Sequence, residues 1–86
     1  MYAQQEEIRT RAFCLGEYGS AAYNILGYKS IGWPMEMTTE QIAKSYPNFS
    51  GDLLVDLVRV GYTKQWQSPA DFQKEARQRC LTGNPF

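Results

Sequence analysis

The amino-acid sequence predicts an all-α fold, a small four-helix array around a long central first helix. Three observations lead to this fold class. Apolar residues recur at helical spacing from Ile8 to Tyr28, start signals precede three later segments, and the two cysteines fall in the first and last predicted helices. The helices are expected at about residues 5–27, 39–46, 51–66 and 69–82, within a single domain covering residues 1–86.

The first predicted helix carries two neighbouring apolar stripes. They consist of Ile8, Ala12, Leu15, Gly19, Ala22 and Leu26, and of Cys14, Tyr18, Ala21, Ile25 and Tyr28. The opposite face is polar apart from Phe13. Because the two stripes cover more than half of the circumference, this helix is expected to pack against at least two neighbours.

Small residues weaken this helix locally, since each glycine costs roughly 0.5–1 kcal/mol relative to alanine. The small side chains of the stretch are Ala12, Gly16, Gly19, Ser20, Ala21 and Ala22. A surface of this kind predicts the close approach of another helix. The alternative is a shallow groove for a ligand.

The segment Lys29–Met37 is predicted to be irregular. Gly27 is the expected point for the first helix to loosen or end, and Gly32 and Pro34 disfavour regular structure after it. The segment nevertheless contains three large apolar side chains, Trp33, Met35 and Met37. It is therefore either a lid packed on the core or a surface that binds a partner.

A capping box predicts where the second helix begins. Thr38 is the expected N-cap, Gln41 can reach back to its amide, and Met37 and Ile42 occupy the positions of a hydrophobic staple. The resulting short helix should continue to about Tyr46, where the following proline stops it.

Two further start signals follow. Ser50 is the expected N-cap of the third helix, and Ser68 followed by Pro69 is a typical opening of the fourth. Gly83 is the expected C-cap of the fourth helix, and Pro85 prevents its continuation.

Composition limits the classes of function. Nine basic and nine acidic side chains cancel, so no net charge favours nucleic acid or an anionic membrane. No apolar run is long enough for membrane insertion. With no histidine and no Cys-x-x-Cys pair, no metal site and no cofactor are expected.

The cysteine pair predicts a disulfide between Cys14 and Cys80, with two buried free thiols as the alternative. The bond would close a ring of about 65 residues and stabilise the fold by roughly 4 kcal/mol in the loop-entropy model. A disulfide requires an oxidising compartment. The residues Met1–Gln5 are consistent with the remnant of a removed signal peptide, with an ordinary cytosolic start as the alternative. Together with the cysteine pair they lead us to expect a periplasmic or secreted protein.

The sequence argues against catalysis. A nucleophilic cysteine needs a base, usually histidine, and the chain has none. The carboxylate pairs Asp52 with Asp56 and Glu36 with Glu40 are typical of a solvated helix surface. Six tyrosines and two tryptophans are many for so short a chain. They indicate either a binding surface or a polar boundary around the core.

A resemblance adds to this interpretation. With Cys14 in the first helix, a Leu-Leu-Val-Asp-Leu-Val-x-x-Gly-Tyr helix from Leu53 to Tyr62, the Pro69 start and Cys80 near the end, the chain resembles small exported helical proteins of Gram-negative bacteria. Among these it is similar, over residues 13–80, to the periplasmic immunity proteins that neutralise type VI secretion amidase effectors. This resemblance implies a protein that blocks a toxic enzyme and performs no chemistry itself.

The sequence therefore predicts a non-enzymatic, exported protein-binding module, with an immunity-type inhibitor as its most specific form. The expected partner-binding residues are Tyr28, Trp33, Met35, Met37 and Tyr46. The partner is another protein, and a homodimer is left open. A periplasmic stress chaperone and a carrier of a small apolar ligand, held by tyrosines and the small residues of the first helix, are the alternative functions.

Overall fold

The structure is a computed structural model that describes residues 11–86. Over this range the chain is all-helical, with four helices and no strand, as predicted. Helix α1 covers residues 11–30. It consists of α-helical residues 11–13, a π-helical segment, Cys14–Tyr18, and the regular α-helix Gly19–Ser30. The other helices are α2 (Met35–Ser45), α3 (Gly51–Thr63) and α4 (Pro69–Leu81). The expected helix start near residue 5, the stripe position Ile8 and the leader remnant Met1–Gln5 lie outside the described residues.

Helix α1 is the centre of the array. It makes its most extensive contact with α4 and also packs against α2 and α3, while α2 packs against α3. The fully or almost fully buried apolar residues are Cys14, Tyr18, Ala21, Ala22, Ile25, Leu26, Ile42, Leu54, Leu57, Val58, Phe72, Ala76 and Cys80. Each of the four helices contributes to this core, and α1 contributes most.

The disulfide joins Cys14 to Cys80, which confirms the predicted link between the first and last helices. Cys14 is completely buried and Cys80 is only 3% exposed. Farther along the same pair of helices, Gln73 donates a hydrogen bond from its side-chain amide to the Gly19 carbonyl oxygen, at 3.1 Å. A side chain at Gly19 would collide with that of Arg77. The small residues in this part of α1 thus allow the close approach of α4.

The π-helical segment changes which residues of α1 face the core. The stripe pattern places Ala12 and Leu15 inward, but both are exposed, whereas Phe13, on the predicted polar face, packs against the core. A π-turn contains one residue more than an α-turn, so it rotates the residues before it relative to those after it. Phe13 and Tyr18 therefore contact each other although they are five residues apart, with ring centroids at 5.9 Å.

Helix α1 ends three residues later than predicted, and Gly32 rather than Gly27 ends it. Gly32 has a φ of +89°, a conformation that glycine adopts at little cost. Its amide donates to the Lys29 carbonyl, and the Trp33 amide donates to the Tyr28 carbonyl, both at 3.0 Å. These two bonds form a Schellman motif, which satisfies carbonyl groups at the helix end.

The prediction that Lys29–Met37 is irregular is wrong, because only residues 31–34 lie between helices α1 and α2. The predicted cap of α2 is also wrong. This helix begins at Met35, with Pro34 as N-cap, and Thr38 lies inside it, completely buried. The Thr38 hydroxyl bonds to the hydroxyl of Tyr62 at 2.6 Å instead of capping the backbone. A tertiary partner thus replaces the local one.

The later start signals are confirmed. The Ser50 hydroxyl accepts a hydrogen bond from the Leu53 amide, and the Ser68 hydroxyl accepts one from the Asp71 amide, at 3.4 and 3.1 Å. Helix α3 ends at Thr63 rather than near Trp66. The Trp66 indole packs on the ring of Phe72 and donates to the Val60 carbonyl, so the chain must leave the helix earlier.

Helix α4 ends at Leu81, with Thr82 as C-cap and Gly83 immediately after it, at a φ of +79°. The Asn84 amide donates to the Arg79 carbonyl at 2.9 Å, which turns the last residues back towards the core. There Phe86 packs against Trp66 and Phe72.

Tyr18 is the largest fully buried side chain, and burial raises its pKa to about 12. The Phe86 amide donates a hydrogen bond to the Tyr18 hydroxyl oxygen at 3.0 Å. This bond and the positive charge of Arg79 lower the pKa, but the effect of burial is larger. The neutral phenol is therefore strongly favoured in the folded state.

We expect this tyrosine to make the protein less stable at alkaline pH. Above pH 10 an unfolded Tyr18 ionises while a folded Tyr18 keeps its proton, so the folded state binds more protons and the free energy of unfolding falls as the pH rises. The expected loss is about 1.4 kcal/mol per pH unit, or about 2–3 kcal/mol between pH 10 and about 12, where it levels off. Denaturant unfolding across this range measures it.

The matched controls are two phenylalanine variants. Tyr18→Phe should remove most of this alkaline loss, whereas Tyr23→Phe, at a tyrosine that is 46% exposed, should keep it. Equal slopes in the two variants would show that other groups cause the pH dependence.

Candidate partner-binding surface

The turn between α1 and α2 carries the most exposed large apolar side chain of the described residues. Ile31 is 68% exposed, and Met35 and Met37, in the first turn of α2, are 41% and 46% exposed. We define the turn surface as the side chains of Tyr28, Ile31, Trp33, Met35 and Met37. Single exposed apolar residues are common on proteins, and a group of them around one turn makes that turn a candidate binding surface.

Two of the predicted site residues support the turn from inside. The rings of Tyr28 and Trp33 stack at a centroid distance of 4.3 Å and an angle of 9°. These residues occupy the C3 and C″ positions of the Schellman motif, where an apolar contact commonly accompanies the hydrogen bonds. Both side chains are half-buried. They thus combine the two expected roles, because they pack on their neighbours and still present part of their surface to solvent.

The Tyr62 hydroxyl fixes the turn from α3. It lies 2.7 Å from the Trp33 carbonyl oxygen and 2.6 Å from the Thr38 hydroxyl. A carbonyl can only accept, so the single Tyr62 proton goes to Trp33, and Thr38 donates its proton to Tyr62. One side chain of α3 therefore holds both the turn and the first part of α2.

Lys29 makes a second connection to α3. Its ammonium group donates to the Gly61 carbonyl at 3.1 Å and to the Lys64 carbonyl at 3.4 Å, and it lies 5.9 Å from the centroid of the Tyr62 ring. The positive charge thus lies at the end of α3, where the helix dipole favours it. Together with the Tyr62 bonds, this contact presents the turn surface in one fixed conformation.

Tyr46, the fifth predicted site residue, lies outside this cluster. It is the C-cap of α2, at the opposite end of that helix from Met35. Its hydroxyl accepts a hydrogen bond from the Asn24 amide at 2.7 Å, and its ring packs near Phe49. Tyr46 therefore lies at the polar boundary of the core, which is one of the two roles that the sequence predicts for the aromatic residues.

Ile31 is the turn-surface residue that was not singled out from the sequence. Its position between Ser30 and Gly32, just before the glycine that ends the helix, is the signal that identifies it. Because Ile31 is the C-cap, no further helical turn follows it that could cover its side chain. Its exposure follows from the helix ending where it does.

The turn surface offers contact area but little reactive chemistry. Its side chains are aliphatic, thioether or aromatic, and in the part of the chain that the structure describes no three His, Cys, Asp or Glu residues lie close enough to hold a metal ion. Residues 11–86 also contain no helix long and apolar enough to cross a membrane. What this arrangement can do is bind an apolar surface.

Comparison with protein-family models, curated proteins and solved structures finds no match to this chain. The similarity to immunity proteins therefore stays a hypothesis that rests on the residues quoted for it. The function has to be argued from the turn surface and the fold that supports it.

Proposed function

We propose that this protein is a non-catalytic protein-binding module of an oxidising compartment, and that it binds its partner through the turn surface. The observation that carries the proposal is the combination of high exposure with a fixed backbone at Ile31, Met35 and Met37. The most specific form of the proposal is an immunity-type inhibitor, in which the turn enters and blocks the active site of a toxic enzyme.

The side-chain chemistry of the turn supports protein binding. Methionine side chains are flexible and polarisable, so they adapt to irregular apolar surfaces, and stacked aromatic rings add contact area at low entropic cost. Met37 lies on the side of α2 away from the buried Ile42, whereas Met35 is exposed at the first position of the helix. A partner can therefore contact Met37 and the N-terminal end of α2 without disturbing the core.

The fixed backbone of the turn supports it further. A segment that is already ordered loses little conformational freedom on binding, which improves affinity. The Schellman motif, the Tyr28–Trp33 stack and the Tyr62 hydroxyl hold the turn before a partner arrives. A short, exposed and ordered turn of this kind suits insertion into a concave site, such as the active site of an enzyme.

The disulfide is compatible with the proposed compartment. Such bonds persist in the periplasm and outside the cell, and small domains in these places commonly depend on them. The chain is bonded between its first and last helices, and within the described residues no cysteine is free.

Site-specific photo-crosslinking in the native host tests the proposal. A photoreactive phenylalanine analogue at Met37 should give one discrete adduct, whose second component is then identified by mass spectrometry and purified. The matched control is the same analogue at Val55, an apolar residue of α3 with similar exposure, 41% against 46%. The immunity-type form further requires that the purified partner is an enzyme and loses activity at an equimolar ratio. The same adduct from both positions, or none from Met37, contradicts binding through the turn surface.

Serine variants separate binding from folding. We expect Ile31→Ser and Met37→Ser to change the free energy of unfolding by no more than about 0.5 kcal/mol, because both side chains are largely exposed. Each should weaken binding of the crosslinked partner by about tenfold or more, corresponding to at least about 1.4 kcal/mol. Thermal unfolding and titration calorimetry measure the two quantities.

Trp33→Ala provides the contrast. It removes the stack on Tyr28 and should lower both stability and affinity, the former by about 1 kcal/mol or more. If the serine variants lose as much stability as Trp33→Ala, the turn is a lid on the core and the proposed binding role fails.

A further inference from the structure

A concave site, separate from the turn surface, lies between the N-terminal part of α1 and the loop that joins α2 to α3. It is an open groove of about 760 Å³. Its lining residues are Ala12, Phe13, Gly16, Glu17, Asn48, Phe49, Ser50 and Leu53. The volume lies within the range of about 300–1,000 Å³ that is typical of small-molecule sites. None of these residues belongs to the turn surface.

Aromatic rings form the apolar wall of the groove. The rings of Phe13 and Phe49 meet edge to face at 4.8 Å, and the ring of Phe49 stacks on buried Tyr18 at 5.9 Å. Phe13 directly precedes Cys14, whose disulfide ties this part of α1 to α4. The wall is therefore held in place by the core and by a covalent bond.

The helical wall of the groove is open because it lacks side chains. Gly16 lies in the π-helical segment, and a Cβ atom built there meets no atom within 4 Å in the described structure. At Gly19 and Gly61, by contrast, a Cβ atom would collide with a packed neighbour. Packing thus explains the glycines at 19 and 61 but not the one at 16. π-helical segments are uncommon and often lie at functional sites.

A carboxylate gives the groove its electrostatic character. One oxygen of Glu17 accepts a hydrogen bond from the Asn48 side-chain amide at 2.7 Å. The other is shielded from solvent and has no hydrogen-bond partner among residues 11–86. Within the same range Glu17 forms no ion pair. No ion pair of the described residues balances the charge of this groove-lining carboxylate, so the groove favours a positively charged ligand.

We propose that the groove binds a small organic cation with an apolar, aromatic body and a protonated amine. The body packs against Phe13, Phe49 and Leu53, and the ammonium group lies beside the Glu17 carboxylate and near the faces of the phenyl rings, which attract cations. The small residues Ala12 and Gly16 leave space for the body. Of the small residues for which a ligand groove was the alternative to helix packing, Ala12 and Gly16 line this groove, and its aromatic residues are phenylalanines in place of the tyrosines expected for a ligand carrier. The proposal does not depend on the partner of the turn surface.

Three probes of similar size test the charge requirement. The phenethylammonium ion, neutral 2-phenylethanol and the 3-phenylpropionate anion are titrated into the protein, and binding is followed by the backbone amide signals in heteronuclear NMR spectra. We expect the cation to bind at least about tenfold more tightly than the alcohol, and the anion to bind most weakly. The shifted signals should be those of the groove residues. Equal affinities for the three probes, or shifts confined to residues 31–37, would overturn the proposal.

Two variants test the groove itself. Glu17→Gln keeps the size of the side chain and should remove most of the preference for the cation over the alcohol. Gly16→Leu should fill the groove and weaken binding of all the probes by about tenfold or more. The matched control is Gly27→Leu, since a Cβ atom at Gly27 also meets nothing within 4 Å but this glycine is outside the groove. Unchanged cation preference in Glu17→Gln, or equal effects of the two leucine variants, would refute the assignment.

Discussion

Replacing Cys14 and Cys80 by alanine is expected to lower the free energy of unfolding by roughly 4 kcal/mol, close to the total stability of many small domains. The bond joins residues 66 positions apart, so breaking it returns a large amount of conformational freedom to the unfolded chain. The double variant should therefore be largely unfolded near physiological temperature. Denaturant unfolding of the oxidised protein and the variant measures the difference.

The reduced wild type is the control for this experiment. It lacks the covalent link but keeps both sulfur atoms in the core, so a loss equal to that of the double variant identifies the link as the cause. A larger loss in the double variant reports the packing of the sulfur atoms, because both cysteines are buried. A loss below about 1 kcal/mol in both would show that the unfolded chain is already compact.

Intact mass gives the state of the cysteines directly. Protein purified from an oxidising compartment should be lighter by two hydrogen atoms than its reduced form and should resist alkylation before reduction. The burial of both cysteines also predicts slow reduction while the protein stays folded. Two thiols that alkylate freely in such a preparation would remove the support for an exported protein.

Gly61→Val is expected to destabilise the protein by about 3 kcal/mol. Gly61 lies in α3 where this helix crosses α1, and a Cβ atom there would be 2.8 Å from a methyl carbon of Ile25 and 3.0 Å from the ring of Phe72. Both neighbours are completely buried, so they have little room to move. The two helices would have to separate, and the apolar contact between them would weaken.

Gly27→Val is the matched control, because a side chain at Gly27 has open space around it. Valine and glycine differ little in helix propensity, so we expect this variant to change stability by no more than about 0.5 kcal/mol. Chemical denaturation of both variants beside the wild type makes the comparison. Similar losses in the two would mean that helix propensity, and not the close contact at Gly61, controls this position.

Much of the fold could be predicted from local signals. Ser50, and Ser68 with Pro69, capped their helices as predicted, because a serine hydroxyl bonded to a nearby amide needs no distant partner. The inward positions of Cys14 and Cys80 also predicted their pairing. The caps depend on residues three positions apart, and the disulfide depends on the only two cysteines of the chain.

The errors occurred where a distant residue decided the local structure. The sequence around Thr38 matches a helix N-cap, but its hydroxyl bonds to the Tyr62 hydroxyl, and α2 starts at Met35, one turn before the predicted start. The sequence pattern places Phe13 on the polar face only if the whole of α1 is a regular α-helix. The π-helical segment, next to the disulfide, turns this residue inward and leaves Leu15 exposed.

The candidate sites could also be predicted only in part. The apolar character of Trp33, Met35 and Met37 could be read from the sequence, because apolar residues beside Gly32 and Pro34 are unusual. The sequence could not show that Trp33 supports the turn while Met35 and Met37 are exposed, since this depends on the stack with Tyr28 and on the hydrogen bond from α3. The groove at Gly16 depends on the packing of the α2–α3 loop, which the sequence pattern does not describe.

The sequence by itself thus determined the all-helical class, the central position of the first helix and the disulfide between the first and last helices. These properties follow from periodicity, capping residues and the two cysteines, which act through short-range or covalent chemistry. Tertiary structure alone decided where α2 begins, which residues of α1 face the core, and which apolar side chains remain exposed. Those outcomes depend on contacts between residues far apart in the chain, and their energies exceed the local preferences of about 1 kcal/mol that a sequence pattern expresses.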